Sequence, residues 1–211
     1  MRNDGRFTAN RWLTATIVVL LLGACQGNEI KQEEVPPLEI IQEKAYSRVG
    51  YACCNLRYEG ELISDSNLAQ LPFIAVGTPI KVNRIDGYRA DIEVDGKAMQ
   101  LAHDVGRASE SVEQWVEKIV VLDDPKPMLD QYPLHVRRAI EAGKLSRGMS
   151  KEQVIMAVGH PQSKANRKRN TSHWRYWWSG FAPYYVYWSG NKLKKIDGHS
   201  ETVARMTYKS N

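Results

Sequence analysis

The sequence predicts an α+β chain in which a strand-rich module is followed by two helices packed on a three-stranded antiparallel sheet. Three observations carry that expectation. Two Asp-Gly pairs sit between stretches of alternating apolar and polar residues, a Ser-capped and Gly-terminated helix runs between Ser150 and Gly159, and nine aromatic side chains fall within the sixteen residues His173 to Trp188.

The first residues concern compartment rather than fold. Three arginines (Arg2, Arg6 and Arg11) precede the mostly apolar run Trp12 to Leu22. That run is roughly half of the ~20 residues a membrane-spanning helix needs, so it reads as a secretory signal. Leu22-Gly23-Ala24-Cys25 closes it. This stretch resembles the lipobox of bacterial lipoproteins, which implies that residues 1–24 are removed and that Cys25 carries fatty acid. Several acyl chains make such an anchor effectively permanent. In the proteins it resembles, Asp after the cysteine favours the inner membrane; Gln26 stands here. The expected location is therefore the outer membrane, lipid-anchored and facing the periplasm. Residues 25–44, polar, acidic and interrupted by Pro36-Pro37, read as the tether of that anchor. The net charge of +5 becomes +3 once the leader's three basic residues and one acidic residue are removed. The positive charge is concentrated in Lys164 to Lys195, which holds eight basic residues and no acidic one.

The β module is expected over 45–123. Ile80 and Val82 alternate with polar neighbours before Asp86-Gly87, Ala90, Ile92 and Val94 alternate before Asp95-Gly96, and Ala98 to Leu101 follows. Alternation at period two with Asp-Gly turns specifies a meander of hairpins. After Gly106, one helical turn at Ser111 to Trp115 and a last strand at Val116 to Leu122 complete an order of elements that resembles a small SH3-like β-barrel. Pro125 and Pro127 cannot continue a sheet ladder and mark the boundary.

The second module is expected over 128–199, with 200–211 as a flexible tail. Pro133 opens a helix whose Leu134, Val136, Ala139 and Ile140 share a face and which Gly143 ends. Ser150 caps the next helix, with Gln153 completing a capping box and Met149 and Val154 forming a hydrophobic staple; Gly159 and Pro161 stop it. A basic loop from Lys164 to Asn170 leads into two aromatic strands joined through Ser179 to Pro183, and a third strand lies around Lys192 to Ile196. Gly148-Met149-Ser150, Val154, Gly159-x-Pro161 and Trp174-x-Tyr176 together resemble the signature of the SmpA/OmlA family of outer-membrane lipoproteins, also called BamE-like. The resemblance covers roughly Leu129 to Gly198. It implies a BamE-like domain of two helices on three strands, and a role in outer-membrane β-barrel assembly or envelope integrity.

Strand alternation puts Trp174, Tyr176 and Trp178 on one face with Tyr184, Val186 and Trp188, and leaves Arg175, Trp177, Tyr185 and Tyr187 on the other. Two helices cover one face. The uncovered one, with Lys192 and Lys194 beside it, is the expected partner-binding surface: Arg175, Trp177, Tyr185, Tyr187 and Lys192, where apolar bodies meet a polar partner. Export excludes nucleic acid as that partner. The histidines are scattered, with no metal-ligand spacing, nucleophile elbow or phosphate loop, so no catalytic residue, metal, cofactor or small-molecule substrate is expected. His103-Asp104 reads as a surface pair. Cys53 and Cys54 could pair only with each other or with a partner protein, and no chemistry is assigned to them. The resulting expectation is a non-enzymatic, lipid-anchored scaffold whose partners are an envelope protein, such as the β-barrel assembly machinery, and membrane lipid. The alternatives are a cell-wall-binding lipoprotein acting through its SH3-like domain and a periplasmic enzyme inhibitor.

Overall fold

The computed structural model describes residues 46–162, Asn166 and 172–209. The leader, Cys25, the tether, and the basic loop apart from Asn166 lie outside the described residues. Seven strands come first: β1 (Arg48–Ala52), β2 (Leu56–Glu59), β3 (Leu62–Ser64), β4 (Phe73–Ile74), β5 (Pro79–Asp86), β6 (Arg89–Val94) and β7 (Lys97–Ala102). Helix α1 (Val112–Ile119) and β8 (Val120–Val121) follow. Then come α2 (Lys126–Asp130), α3 (Leu134–Glu141), α4 (Lys151–Val158), β9 (His173–Ser179), β10 (Ala182–Ser189), β11 (Lys192–Gly198) and α5 (Ser200–Met206).

The first eight strands make one curled, half-barrel sheet of order β4-β2-β3-β7-β6-β5-β1-β8. At its centre β5, β6 and β7 form the meander, with Ile80 facing Val94 and Val82 facing Ile92. The turn between β6 and β7 places both Asp95 and Gly96 at positive φ, 49° and 77°, the geometry a two-residue type I′ hairpin demands. The inward side chains pack with Val112, Trp115, Val116 and Ile119 of α1 into one core.

This corrects the expected small SH3-like barrel. The segment before residue 79 supplies four further strands. β1 pairs with β5, and β3 pairs in parallel with β7, Leu62 opposite Gln100, so the sheet extends beyond both sides of the meander. Strands of two to five residues carry too little alternation to be read locally; their pairing partners decide them. Helix α1 is also longer than one turn. The capping box of Ser111 and Gln114 starts it, and apolar residues at i, i+3, i+4 and i+7 hold it helical through Ile119, leaving β8 only two residues.

The second sheet has the order β11-β10-β9, all antiparallel. Its inner face, Trp174, Tyr176, Tyr184, Val186, Trp188 and Leu193, is buried with α3, α4 and α5 in a second core. The expected domain of two helices on three strands is corrected too. The described residues are mostly sheet with five helices, and the start of the segment expected as a flexible tail instead forms α5, which packs against β10 and β11. Met206 is buried there, and its carbonyl and the Tyr208 amide clamp Leu145 at 2.8 Å each.

The two cores meet through buried and half-buried polar side chains. Asn55 donates to the carbonyls of Ile140 (2.6 Å) and Ala157 (3.0 Å) and accepts from the Val76 amide (3.1 Å). Asn67 donates to the carbonyl of Val158 at 2.6 Å. Buried Arg57 donates to the carbonyls of Leu71 and Gly143 and lies over Phe73, and its burial lowers its pKa from the ordinary arginine value. The amides of Ala69 and Gln70 cap the outer edge of β9 at the carbonyls of Trp177 and Trp178, so that edge is not open for further pairing there.

Candidate docking surface

The three-stranded sheet owes its two-faced character to strict alternation within β9 and β10. Register places Tyr185 between Arg175 and Asp197, Tyr187 between His173 and Lys195, and Pro183 opposite Trp177. These side chains point away from the core of the sheet, and Arg175, Trp177, Tyr185 and Tyr187 are half-buried.

Cations sit on the rings. The Arg175 guanidinium lies 4.6 Å from the Trp177 ring centre, and the Lys195 ammonium lies 4.6 Å from that of Tyr187. His173 contacts both tyrosines, at 5.8 Å and 5.2 Å. Lys195 is also 2.9 Å from Asp197, and that hydrogen bond raises the lysine pKa and lowers the aspartate pKa. Both stay charged at neutral pH. The Asn166 side chain holds the Arg175 backbone in place, accepting from its amide (2.8 Å) and donating to its carbonyl (3.0 Å).

Of the five residues expected to bind a partner, the fold brings four together. Lys192 stands apart, opposite Ser189 at the other end of β10 from Pro183, six residues or roughly 20 Å from the Trp177 position. Lys195 takes the place beside the tyrosines. A β-bulge between Tyr187 and Trp188 leaves Lys194 unpaired, so Lys195 faces Tyr187. Alternation counted from Lys192 misses this, because nothing local announces the bulge.

His103 requires a correction. It is 1% exposed and therefore no surface residue, and its partner is Asp65, not Asp104, which pairs with Arg89. Nδ1 of His103 lies 2.9 Å from the Asp65 carboxylate, Nε2 lies 3.1 Å from the carbonyl of Glu110, and the Trp115 ring stacks on the imidazole. Asp65 in turn accepts from the amides of Asp104, Val105 and Gly106. The pair therefore pins the 103–106 loop to the sheet. Cys53 and Cys54 are joined as a vicinal disulfide, with Cys54 fully buried. Among the described residues there is no group of three metal-ligating side chains, and no helix is long and apolar enough to cross a membrane.

In comparison with known proteins, no family model, no curated protein and no solved structure matches the chain.

Proposed function

We propose that the chain is a lipid-anchored interaction protein of the bacterial outer membrane, facing the periplasm, that docks an envelope protein on the outer face of its three-stranded sheet. One observation carries this: a contiguous set of half-buried Trp and Tyr side chains, with cations over Trp177 and Tyr187, on the sheet face turned away from its core. Aromatic residues and arginine are the side chains enriched at the centres of protein interfaces. The motif resemblance makes the β-barrel assembly machinery the first partner to try. The curled eight-stranded sheet removes the basis for a cell-wall-binding SH3-like domain.

The test is site-specific photocrosslinking in intact cells. A crosslinker at Trp177 or Tyr185 is expected to trap an outer-membrane protein, whereas one at Lys81 on the other sheet traps none. Equal labelling from both sheets, or none from either, would overturn the docking role. The anchor is tested separately by fatty-acid labelling: Cys25→Ala should lose the label and leave the outer-membrane fraction.

A further inference from the structure

The hairpin joining β9 to β10 turns through only Gly180 and Phe181, since Ser179 already pairs with Ala182. Phe181 is 100% exposed, while the next most exposed large apolar side chains among the described residues are Val49 at 67% and Leu122 at 64%. A two-residue turn between paired strands cannot fold this ring back onto the body. Behind it, Trp178, Pro183 and Tyr185 border an open cleft of about 740 Å³, and the Arg205 guanidinium lies 5.4 Å from the Trp178 ring centre. The tip is thus an apolar point surrounded by side chains with apolar bodies and polar ends.

We propose that this tip inserts into the headgroup–acyl boundary of the bilayer that carries the chain's anchor, making a second, reversible membrane contact. The inference rests on the lipid-anchored reading above. Trp, Tyr and Arg around a protruding apolar residue match the layering of that boundary, where amphipathic rings sit at headgroup level and the apolar residue reaches the acyl region. Charge at the tip is balanced rather than basic: Arg205 pairs with Glu201 at 2.6 Å, and Lys192 and Lys195 lie toward the other end of the strands, so the contact rests on the apolar tip. Reach is sufficient: the twenty residues 25–44 span at most about 70 Å, longer than a body of this size is wide. With one end fixed in the membrane, the tip meets the bilayer at high effective concentration, so a weak contact is enough. Contact at the tip would stand the strands on the membrane and leave the docking face open sideways to proteins diffusing in it.

The experiment uses the exported chain, residues 25–211, with Cys25→Ser so that no acyl group contributes, and vesicles of mixed phosphatidylethanolamine and phosphatidylglycerol. Cosedimentation and a blue shift of tryptophan emission are expected. Phe181→Ser should weaken partitioning about tenfold to a hundredfold, the effect of withdrawing one phenylalanine side chain from apolar surroundings, with the thermal midpoint unchanged. The proposal is overturned if the parent chain stays in the supernatant, or if Phe181→Ser binds as the parent does. It is equally overturned if sedimentation velocity shows the parent as a dimer that Phe181→Ser dissociates, since the tip would then belong to a second copy. The acyl group is absent from this assay, so failure of the anchor is registered only by the fatty-acid labelling and failure of the insertion only here.

Discussion

The outer faces of the two sheets are built on the same alternation and end in opposite chemistry. On β5 and β6, Lys81 faces Glu93, and Arg84 bridges to Asp91 and Asp86 at 3.1 Å and 3.4 Å. Arg89 pairs with Asp104, and Lys97 lies 4.0 Å from Glu61. That face neutralises itself with exposed charges of both signs, each pair contributing little, as a solvated surface does. On β9 and β10 the corresponding positions hold Trp177 and Tyr187 under cations and Tyr185 between them, with Asp197 the only carboxylate on the strands. An aromatic ring left half in water forfeits a large transfer free energy, so a face made of them indicates a surface that is covered in use. In the proposed function the eight-stranded sheet supports and the three-stranded sheet makes contact.

The largest effect on this comparison comes from separating the two regions. Asn55 has 0% exposure and holds both cores through three side-chain hydrogen bonds. Asn55→Ala takes the side-chain partner from the Ala157 carbonyl and the Val76 amide and one of the donors from the Ile140 carbonyl, and should cost about 3 kcal/mol, near 10 °C in Tm for a body of this size. Calorimetry should also show whether the transition divides. Two resolved transitions would mean that the sheets unfold separately once Asn55 is gone, and an unchanged Tm would mean that it joins nothing.

Residues such as Asn55 mark the limit of what the sequence makes legible. The capped helix α4 could be read because its start and stop are local: Ser150 and Gln153 close the capping box and Gly159 ends the helix with φ of 80°. The two faces of β9 and β10 could be read because alternation is local as well. Asn55, following two cysteines, looks like an ordinary turn residue, and its partners lie 85 and 102 residues away. His103 looked like one half of a surface pair with its neighbour because Asp65, its real partner, comes from a three-residue strand and the turn after it that no periodicity marks. Helix α5 becomes visible only when Thr202 and Met206 find a core to enter. Pairings decided by distant contacts were missed; of the features decided by neighbours, the length of α1 was missed as well, because its apolar run Val116 to Leu122 also reads as a strand.

A smaller effect sharpens the contrast between the two faces. Tyr185→Ser combined with Tyr187→Ser should lower stability by about 1 kcal/mol through lost ring contacts, while strongly reducing crosslinking from Trp177 in cells. Lys81→Ser combined with Glu93→Ser should change stability by no more than about 0.5 kcal/mol and leave crosslinking intact. If both pairs behave alike, the chemical difference between the faces has no functional meaning.

The smallest expected effect tests whether the three-stranded sheet is also held by electrostatics at the start of α4. Glu152 in the first turn of α4 has its pKa lowered from the usual glutamate value of 4.5, first by a hydrogen bond from Ser150, then by the backbone, and by Asn191 in the turn before β11 at 3.2 Å. A depressed carboxylate pKa stabilises the folded state above the unfolded value and loses that contribution as pH falls through the folded one. Wild type should therefore melt slightly above Glu152→Gln at pH 7, and the difference should shrink to nothing well below pH 4.5. Because Glu152 is exposed and adjoins no residue of the outer face, crosslinking from Trp177 should be the same in both proteins at pH 7. A Tm difference that persists at low pH would assign the contribution to the shape of the side chain rather than to its charge at the helix N-terminus.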